Sequence, residues 1–202
     1  MGGNIELLKQ EMDKQGITDK RLRLAVLGVV GKESGFIPQS EKPYNTTALS
    51  RIRKIFGSKL KGKSDSEVEQ LKRDPPAFFS LIYGGRYGNR PGTDDGWKYR
   101  GRGFNQITFR GTYEKYGLKG NPDSLNDPAV AARVAIEFLG KRLDQIKGKD
   151  HKYNNLNDAV RDVAQANAGL GKKGSALTRA IANTKKSIKK HFGEEPEVSE
   201  IS

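Results

Sequence analysis

The chain has 202 residues, which is enough for one domain with a sizeable buried core, or for one domain with a small lobe. Eight Phe, seven Tyr and one Trp argue against a disordered chain, and the absence of cysteine excludes a disulfide framework, a thiolate nucleophile and a cysteine-built zinc site. The formal net charge of +13 indicates an acidic partner, such as nucleic acid, an anionic membrane surface or an anionic polymer of the bacterial wall.

Capping residues and apolar positions at helical spacing predict a mainly α fold. Asp19 can cap the second helix, and Ser64 with Glu67 forms a capping-box pattern before the fourth. Asp127 precedes a first-turn proline and opens the helix with the longest apolar periodicity. The predicted helices cover residues 4–15, 20–31, 48–56, 64 to just before 75, 77–83, from 128, from 157, and 175–192. The inward-facing residues of the third helix are predicted to be Leu49, Ile52, Ile55 and Phe56.

The glycine-rich stretch 84–103 interrupts this helical pattern and is predicted to form a loop or a small β-hairpin. No linker or internal repeat divides the chain, so we expect a single domain over residues 1–193 and an acidic, mobile tail over 194–202. The first residues lack the pattern of a Sec signal peptide, and the longest apolar stretch, 24–30, is too short to span a bilayer. We therefore expect neither export by that route nor membrane insertion.

A short segment, 99–108, places two Gly-Arg steps directly before the polar residues Asn105, Gln106 and Thr108. Glycine allows the backbone to approach a ligand closely, so this segment could be an anion-binding loop. It could equally be a structural turn. The segment lacks the Gly-Lys-Ser/Thr ending of a phosphate-binding P-loop.

Hydrolytic chemistry in this chain has to rest on carboxylates. His151 and His191 lie in polar sequence that is expected to be exposed, which argues against a Ser/His triad or a histidine-rich metal site. Glu33 ends an apolar helix, and a hydrophobic wall would raise its pKa toward the range of a proton donor. The alternative for Glu33 is an ordinary exposed glutamate at a helix end.

Glu41 follows Glu33 by eight positions, after a turn at Pro38. A loop that returns across a cleft could set the two carboxylates on opposite sides of a sugar chain, as glycosidases require. Spacing alone indicates this pairing only weakly, and Asp94 or Asp95 could serve as the second carboxylate instead.

Three blocks of sequence resemble the family 19 glycoside hydrolases, the class that includes plant-type chitinases and many phage endolysins. The first is "GKESGF" (31–36), similar to the segment that carries the family's acid, and the second is "SEKPYNTTAL" (40–49), similar to the segment that carries its second glutamate. The third, "IYGGRYGNRPGTDDGWKYRGRGFNQITFRGTY" (82–113), matches the phage-lysin version of the family almost piece by piece. The resemblance implies a lysozyme-like α-helical domain whose glycine-rich segment lines a substrate cleft.

The resemblance also implies roles for individual residues. Glu33 would be the general acid, Glu41 would be the base or orient the attacking water, and Thr108 would help to hold that water. The usual outcome in the family is inversion, which requires carboxyl groups roughly 6.5–9.5 Å apart. The residues expected to bind sugar are Tyr99, Gln106, Tyr113 and Asn167. Arg100 and Arg102 would brace the site by pairing with carboxylates, and no metal or cofactor is implied.

Several positions depart from the family pattern. Lys32 replaces the usual histidine before the acid, and Phe109 replaces a common glycine. The segment after Glu41 differs from that of phage lysins, so Glu41 is assigned less securely than Glu33. The Asn-Gly-Gly motif of the family is Asn167-Ala168-Gly169 here, which could alter the preference for particular sugars.

The function predicted from these features is cleavage of peptidoglycan glycan strands by a monomer, with no dedicated nucleic-acid partner. The lysin-like third block and the positive charge favour an anionic wall over chitin. As a phage endolysin, the protein would wait in the host cytoplasm until a holin admits it to the wall; as a tail-associated lysin, it would travel in the virion. The alternatives are a chitinase of the same fold, a glycan-binding virion component without activity, and a basic nucleic-acid-binding protein that uses the lysine-rich and arginine-rich segments 51–73 and 172–190.

Overall fold

The computed structural model describes residues 2–194, and within this range the chain is mainly α-helical, as predicted. The β-type pairing found in the described range is an isolated antiparallel bridge between Arg102 and Ile107. None of the helices within residues 2–194 is both long enough and apolar enough to cross a lipid bilayer. The helices are α1 Gly2–Lys14, α2 Lys20–Ser34, α3 Leu49–Phe56, α4 Asp65–Lys72, α5 Pro75–Tyr83, α6 Asp95–Lys98, α7 Arg110–Lys115, a 3-10 helix Pro122–Asn126, α8 Pro128–Lys147, α9 Leu156–Ala168 and α10 Gly174–Phe192.

The described residues fold into two compact units. The Glu33 unit contains residues 2–39, 103–105 and 125–194, and the Glu41 unit contains residues 40–102 and 106–124. The single catalytic domain expected over 1–193 stays a prediction. The last eight residues of the expected acidic tail, 195–202, lie outside the described residues.

Helix α2 is the central element of the Glu33 unit because apolar residues occupy almost its whole circumference. Helices α9 and α10 pack against it, while α8 packs on both α1 and α9. Asp19 caps α2 by accepting a hydrogen bond from the Leu22 N–H at 2.9 Å, and Gly35 ends it in the left-handed conformation (φ 59°). With both ends fixed in this way, Glu33 lies in the last turn of α2 rather than beyond it.

The Glu41 unit has an apolar core of its own, to which α3, α4 and α5 contribute. The predicted capping box at the start of α4 is confirmed: the Glu67 N–H donates to the Ser64 hydroxyl, and the Ser64 N–H donates to the Glu67 carboxylate. Helix α5 packs against both α4 and the short α6. The buried apolar residues of this core are Ile52, Leu60, Val68, Phe78, Phe79 and Ile82.

Some predictions for the helices are wrong. The stretch 84–103, expected to be a loop or a small β-hairpin, contains the short helix α6, and the β-type pairing near its end is the isolated Arg102–Ile107 bridge. No element was predicted where α7 lies. Ile55 is 47% exposed, because the eight-residue α3 buries only the narrow stripe centred on Ile52. His191 is half-buried, and its ring packs edge-on against Phe36 with centroids 5.0 Å apart.

Gly28 sets how closely α10 can approach α2. A Cβ atom built on Gly28 would lie 2.5 Å from Ile188 Cγ1 and 3.2 Å from Thr184 Cγ2, and both of these residues are buried. We therefore expect Gly28→Ala to lower the free energy of unfolding by about 1–3 kcal/mol, although alanine favours helix at an open position. Urea unfolding followed by circular dichroism measures the change.

Gly140 in α8 provides the matched control, since a Cβ atom built there meets nothing within 4 Å. Gly140→Ala should leave stability unchanged or raise it by up to about 1 kcal/mol. If the two variants shift the unfolding midpoint by the same amount, close packing at Gly28 is not what limits substitution there.

Candidate active site

The Glu33 unit holds Glu33 by contacts to one of its two carboxylate oxygens. Lys32 Nζ lies 2.7 Å from Glu33 Oε1, and Asn167 Nδ2, from the end of α9, donates to the same oxygen at 2.9 Å. Within residues 2–194, Glu33 Oε2 has no hydrogen-bond partner. The side chain is 27% exposed, so one oxygen is anchored while the other remains available to a ligand.

These contacts change two expectations. The predicted surroundings of Glu33 were a hydrophobic wall, whereas its observed polar partners are an ammonium group and an amide. Asn167, expected to bind sugar, donates its amide hydrogen to Glu33, because α9 packs against α2. The structure thus brings these two predicted residues together, while the sugar-binding role of Asn167 stays a prediction.

The Glu41 unit holds Glu41 by hydrogen bonds from two tyrosines. Tyr44 donates its hydroxyl to Glu41 Oε1 at 2.7 Å, and Tyr83 at the end of α5 donates to the same oxygen at 3.0 Å. Burial, and next the negative charge of Glu41, raise the pKa of both tyrosines well above the usual value. The two hydroxyls therefore keep their protons and remain donors that fix the carboxylate.

The backbone near Gly101 gives Glu41 its remaining partners. The Glu41 N–H donates to the Gly101 carbonyl at 2.7 Å, and the Gly101 N–H lies 3.4 Å from Glu41 Oε2. A Cβ atom built on Gly101 would lie 2.9 Å from Gln106 Oε1, 3.4 Å from Thr108 Oγ1 and 3.5 Å from Glu41 Oε2. Three predicted site residues therefore present oxygen atoms around one point, which is free only because residue 101 has no side chain.

The polypeptide around this point turns sharply. Arg102 and Ile107 exchange two backbone hydrogen bonds, of 3.1 Å and 2.9 Å. Gln106 and Phe109 have positive φ angles of 57° and 77°, which are uncommon for residues with a side chain. Strained backbone conformations of this kind persist only where the surrounding structure holds them. In proteins they are found most often at functional sites.

Tyr99 and Tyr113 do not line an open surface in the structure. Tyr99 is 3% exposed and donates its hydroxyl to the Lys119 carbonyl at 3.1 Å, while Tyr113 is fully buried and donates to the Arg100 carbonyl at 2.7 Å. Burial raises the pKa of Tyr113 to about 12. As placed here, both rings brace the loop from its buried side, because their hydroxyls satisfy backbone carbonyls that no helix or sheet pairs.

The two arginines of the segment were both expected to pair with carboxylates, and only one does. Arg102 Nη2 lies 2.8 Å from Asp123 Oδ1, and its Nη1 donates to the Lys98 carbonyl at 2.8 Å. Arg100 instead stacks on Trp97, with its guanidinium carbon 3.7 Å from the ring centroid, and donates to the Trp97 carbonyl at 2.9 Å. For Arg100, stacking on the indole replaces the predicted ion pair.

Asp95, one alternative to Glu41, has a structural role. It is fully buried and accepts hydrogen bonds from the Arg90 backbone N–H (2.9 Å), Nε (2.9 Å) and Nη2 (3.0 Å). These bonds hold the pKa of Asp95 at about 2. Because Asp95 is fully buried and both of its oxygens accept from Arg90, neither oxygen is open to a substrate, whereas Asp94 is exposed.

Sequence reasoning missed the tyrosines that hold Glu41. Tyr44 lies three residues after Glu41 in the second block, and Tyr83 is the second residue of the third. For Tyr44, the available signal was a tyrosine three residues from an acidic residue. Tyr83 lies 42 positions from Glu41 and approaches it only in the folded chain. The structure thus groups Glu41 with Gln106 and Thr108 in one unit, and Glu33 with Asn167 in the other.

Comparison with known proteins gives a partial match. No family model matches the chain. The chain is similar to a glycosyl hydrolase family 19 domain-containing protein from Haemophilus influenzae, with 34% identity over 118 residues. That alignment covers 56% of this chain and 56% of the relative, so the chain matches little more than half of the relative's length. This likeness agrees with the family 19 resemblance of the sequence motifs, and the phage-endolysin branch stays a prediction.

Asp95→Asn tests the structural role of Asp95 through its dependence on pH. Because the pKa in the folded protein lies below the ordinary value of 3.8, ionised Asp95 stabilises the fold above that value, and this contribution is lost as the pH falls through about 2. We expect the variant to lower the free energy of unfolding by about 1–3 kcal/mol near neutral pH. The deficit should shrink steadily between pH 3.8 and 2, as measured by urea unfolding at each pH.

Asp94→Asn is the matched control, because Asp94 is exposed and its side chain makes no capping hydrogen bond. Its stability should stay near that of the parent at every pH. An Asp95→Asn deficit that did not change with pH would assign the effect to altered packing rather than to the Arg90–Asp95 pair.

Proposed function

We propose that this chain is a glycoside hydrolase that cleaves the glycan strands of bacterial peptidoglycan by general acid and base catalysis. The observation that carries the proposal is the convergence of Glu41, Gln106 and Thr108 on Gly101, because it joins residues from two separate blocks of the family 19 resemblance. The similarity to the Haemophilus protein supports glycosidase chemistry in general. Peptidoglycan, as the particular substrate, is our proposal.

Glu33 is the proton donor in this proposal. A general acid needs one oxygen to carry the proton and a fixed orientation toward the leaving oxygen. Lys32 and Asn167 anchor Oε1, which leaves Oε2 for the proton. After transfer, the same ammonium and amide groups stabilise the carboxylate that remains.

Glu41 is the base that activates water. The tyrosine hydroxyls donate mainly to Oε1, so Oε2 is the oxygen turned toward Gln106 and Thr108 near Gly101. The Thr108 hydroxyl donates to the Gln106 carbonyl at 3.1 Å, and its oxygen can accept a hydrogen from water while Glu41 accepts the other. Attack by this water on the sugar carbon inverts its configuration.

The net charge favours an anionic wall polymer over neutral chitin as the substrate. A chitinase of the same fold is the nearest alternative, and the same experiment separates the two. For a peptidoglycan hydrolase, we propose the same two locations as above: the host cytoplasm until lysis, or the tail of the virion. A nucleic-acid-binding protein would need neither glutamate, which makes the glutamate variants decisive against it.

Glu33→Gln and Glu41→Gln test both catalytic assignments. Each variant keeps the size of the side chain but removes a proton donor or a base, so cleavage of purified peptidoglycan should fall by about a hundredfold to ten-thousandfold. Release of reducing sugar ends measures the rate, and parallel assays on chitin identify the preferred glycan. Nuclear magnetic resonance of the first-formed product shows whether the anomeric carbon is inverted.

Glu137→Gln and Glu69→Gln are the controls, since they remove a helical glutamate from the Glu33 unit and from the Glu41 unit respectively. Both should retain the parental rate. A parent that leaves peptidoglycan and chitin intact, yet binds DNA more tightly as salt is lowered, would overturn the hydrolase proposal.

Gly101→Ala tests the convergence itself. The added methyl group would lie within 3.5 Å of all three oxygens, so it should displace Glu41 or Gln106 and lower the catalytic rate by up to about a hundredfold. Thermal unfolding should show that the variant remains folded. Full activity in Gly101→Ala would mean that the point around which these oxygens gather is not used in catalysis.

A further inference from the structure

A polar cavity in the Glu41 unit adjoins the segment that carries Gly101. It has a volume of about 410 Å³ and is called here the Trp97 pocket. Its side-chain lining consists of Trp97, three cations and two carboxylates, and residues 120–122 complete the wall. The cations are Lys98, Arg100 and Arg102, and the carboxylates are Asp94 and Asp123. The lining therefore has one positive charge more than it has negative charges.

The positive charges of Arg100 and Arg102 are not fully balanced by ion pairs with carboxylates. Arg102 is 2% exposed and pairs with Asp123, but Arg100 has no ion pair with a carboxylate in residues 2–194. The Nε atoms of both arginines are buried without a hydrogen-bond partner in that range. Burial, and next the positive charge of Arg102, lower the pKa of Arg100. An anion seated in the pocket would supply the negative charge that this pair lacks.

Trp97 forms the aromatic wall of the pocket, and its ring packs edge-on against Phe79 with centroids 5.1 Å apart. Arg100 lies over the indole at 3.7 Å, so the guanidinium plane is held in one orientation rather than moving freely in solvent. A planar, oriented guanidinium suits a planar carboxylate better than a spherical ion, because two parallel hydrogen bonds can form. The Trp97 pocket thus has both the charge and the geometry to recognise a carboxylate.

We propose that the Trp97 pocket binds a carboxylate of the glycan substrate and so distinguishes carboxylated wall strands from chitin. This inference rests on the proposed function and deepens it. Arg100 and Arg102 flank Gly101 in the chain, and the negative charge of Glu41 acts on Arg100, so one short segment carries both the arginines of the pocket and the glycine around which Glu41, Gln106 and Thr108 gather. In peptidoglycan the carboxylate can come from the peptide stem or, on a muramic acid that carries no stem, from the lactyl group; chitin has neither.

Trp97 is the sole tryptophan of the chain, so its fluorescence reports directly on the pocket. Three soluble probes are titrated into the full chain: the muramic-acid disaccharide with a tripeptide stem, the same disaccharide without the stem, and di-N-acetylchitobiose. We expect a saturable change in emission with one or both carboxylated probes and a change at least about tenfold weaker with chitobiose. Comparison of the first two probes identifies which carboxylate is bound.

Two substitutions move binding in opposite directions. Arg100→Gln removes the stacked cation and should weaken binding of the carboxylated probe about tenfold. Asp123→Asn removes the carboxylate that competes for Arg102 and should tighten binding several-fold, a gain that a damaged fold cannot produce. Arg73→Gln is the matched control, because Arg73 is exposed in the same unit and does not line the pocket.

Rates of glycan cleavage complete the test. The ratio of the rate on peptidoglycan to the rate on chitin should fall in Arg100→Gln and stay at the parental value in Arg73→Gln. Equal emission changes with all three probes, or unaltered binding in Arg100→Gln, would overturn the pocket assignment even if the parent cleaves peptidoglycan. Conversely, failure of the parent to cleave any glycan would reject the proposed function, whereas the titrations would still decide whether the pocket binds a carboxylate.

Discussion

The hydrogen bond from the Glu41 N–H to the Gly101 carbonyl, 2.7 Å long, is the constraint on which the arrangement of side chains around Glu41 depends. It ties the segment after the Pro38 turn to the glycine-rich loop, and a side chain at position 101 would collide with the oxygens gathered there. Tyr44 and Tyr83 can then reach the same carboxylate oxygen, because the backbone of residue 41 is already fixed. Position 101 thus requires glycine for the space it leaves and not for an unusual φ angle.

Phe109 illustrates the opposite case, in which glycine would suit the backbone but is absent. Its backbone conformation (φ 77°, ψ 138°) is sparsely populated by residues with a side chain and costs about 1–3 kcal/mol, and glycine is the common residue here in the family pattern that the sequence resembles. The ring packs on Tyr83 and Tyr87, with centroids 5.6 Å and 4.8 Å away, which offsets that cost. Because Tyr83 also holds Glu41, this strained residue supports the same carboxylate that the Gly101 backbone positions.

How much could be predicted from the sequence depended on whether a signal was local. Caps such as Asp19 and Ser64 act within one helical turn, so the starts of α2 and α4 were predicted correctly, whereas α2 extends three residues beyond its predicted end. The exposure of Ile55 and the burial of Tyr99 and Tyr113 depend on which neighbours pack against them, and periodicity in a short helix or a loop does not carry that information. The partner of Arg100 was mistaken for the same reason, since an indole competes with carboxylates for a guanidinium.

Net charge and local charge answer different questions about this protein. A charge of +13 attracts any polyanion, including nucleic acid. It therefore bears on how readily the protein meets a polyanion and not on which reaction it catalyses. Specific partners hold both glutamates: an ammonium group contacts Glu33, and two tyrosine hydroxyls donate to Glu41. A protein that only binds polyanions would not need carboxylates held in this way. Their environments differ in charge: an ammonium group and an amide hold one oxygen of Glu33, whereas two neutral tyrosine hydroxyls hold one oxygen of Glu41. Separate acid and base roles need two carboxylates in different surroundings, and the groups that hold Glu33 and Glu41 do differ.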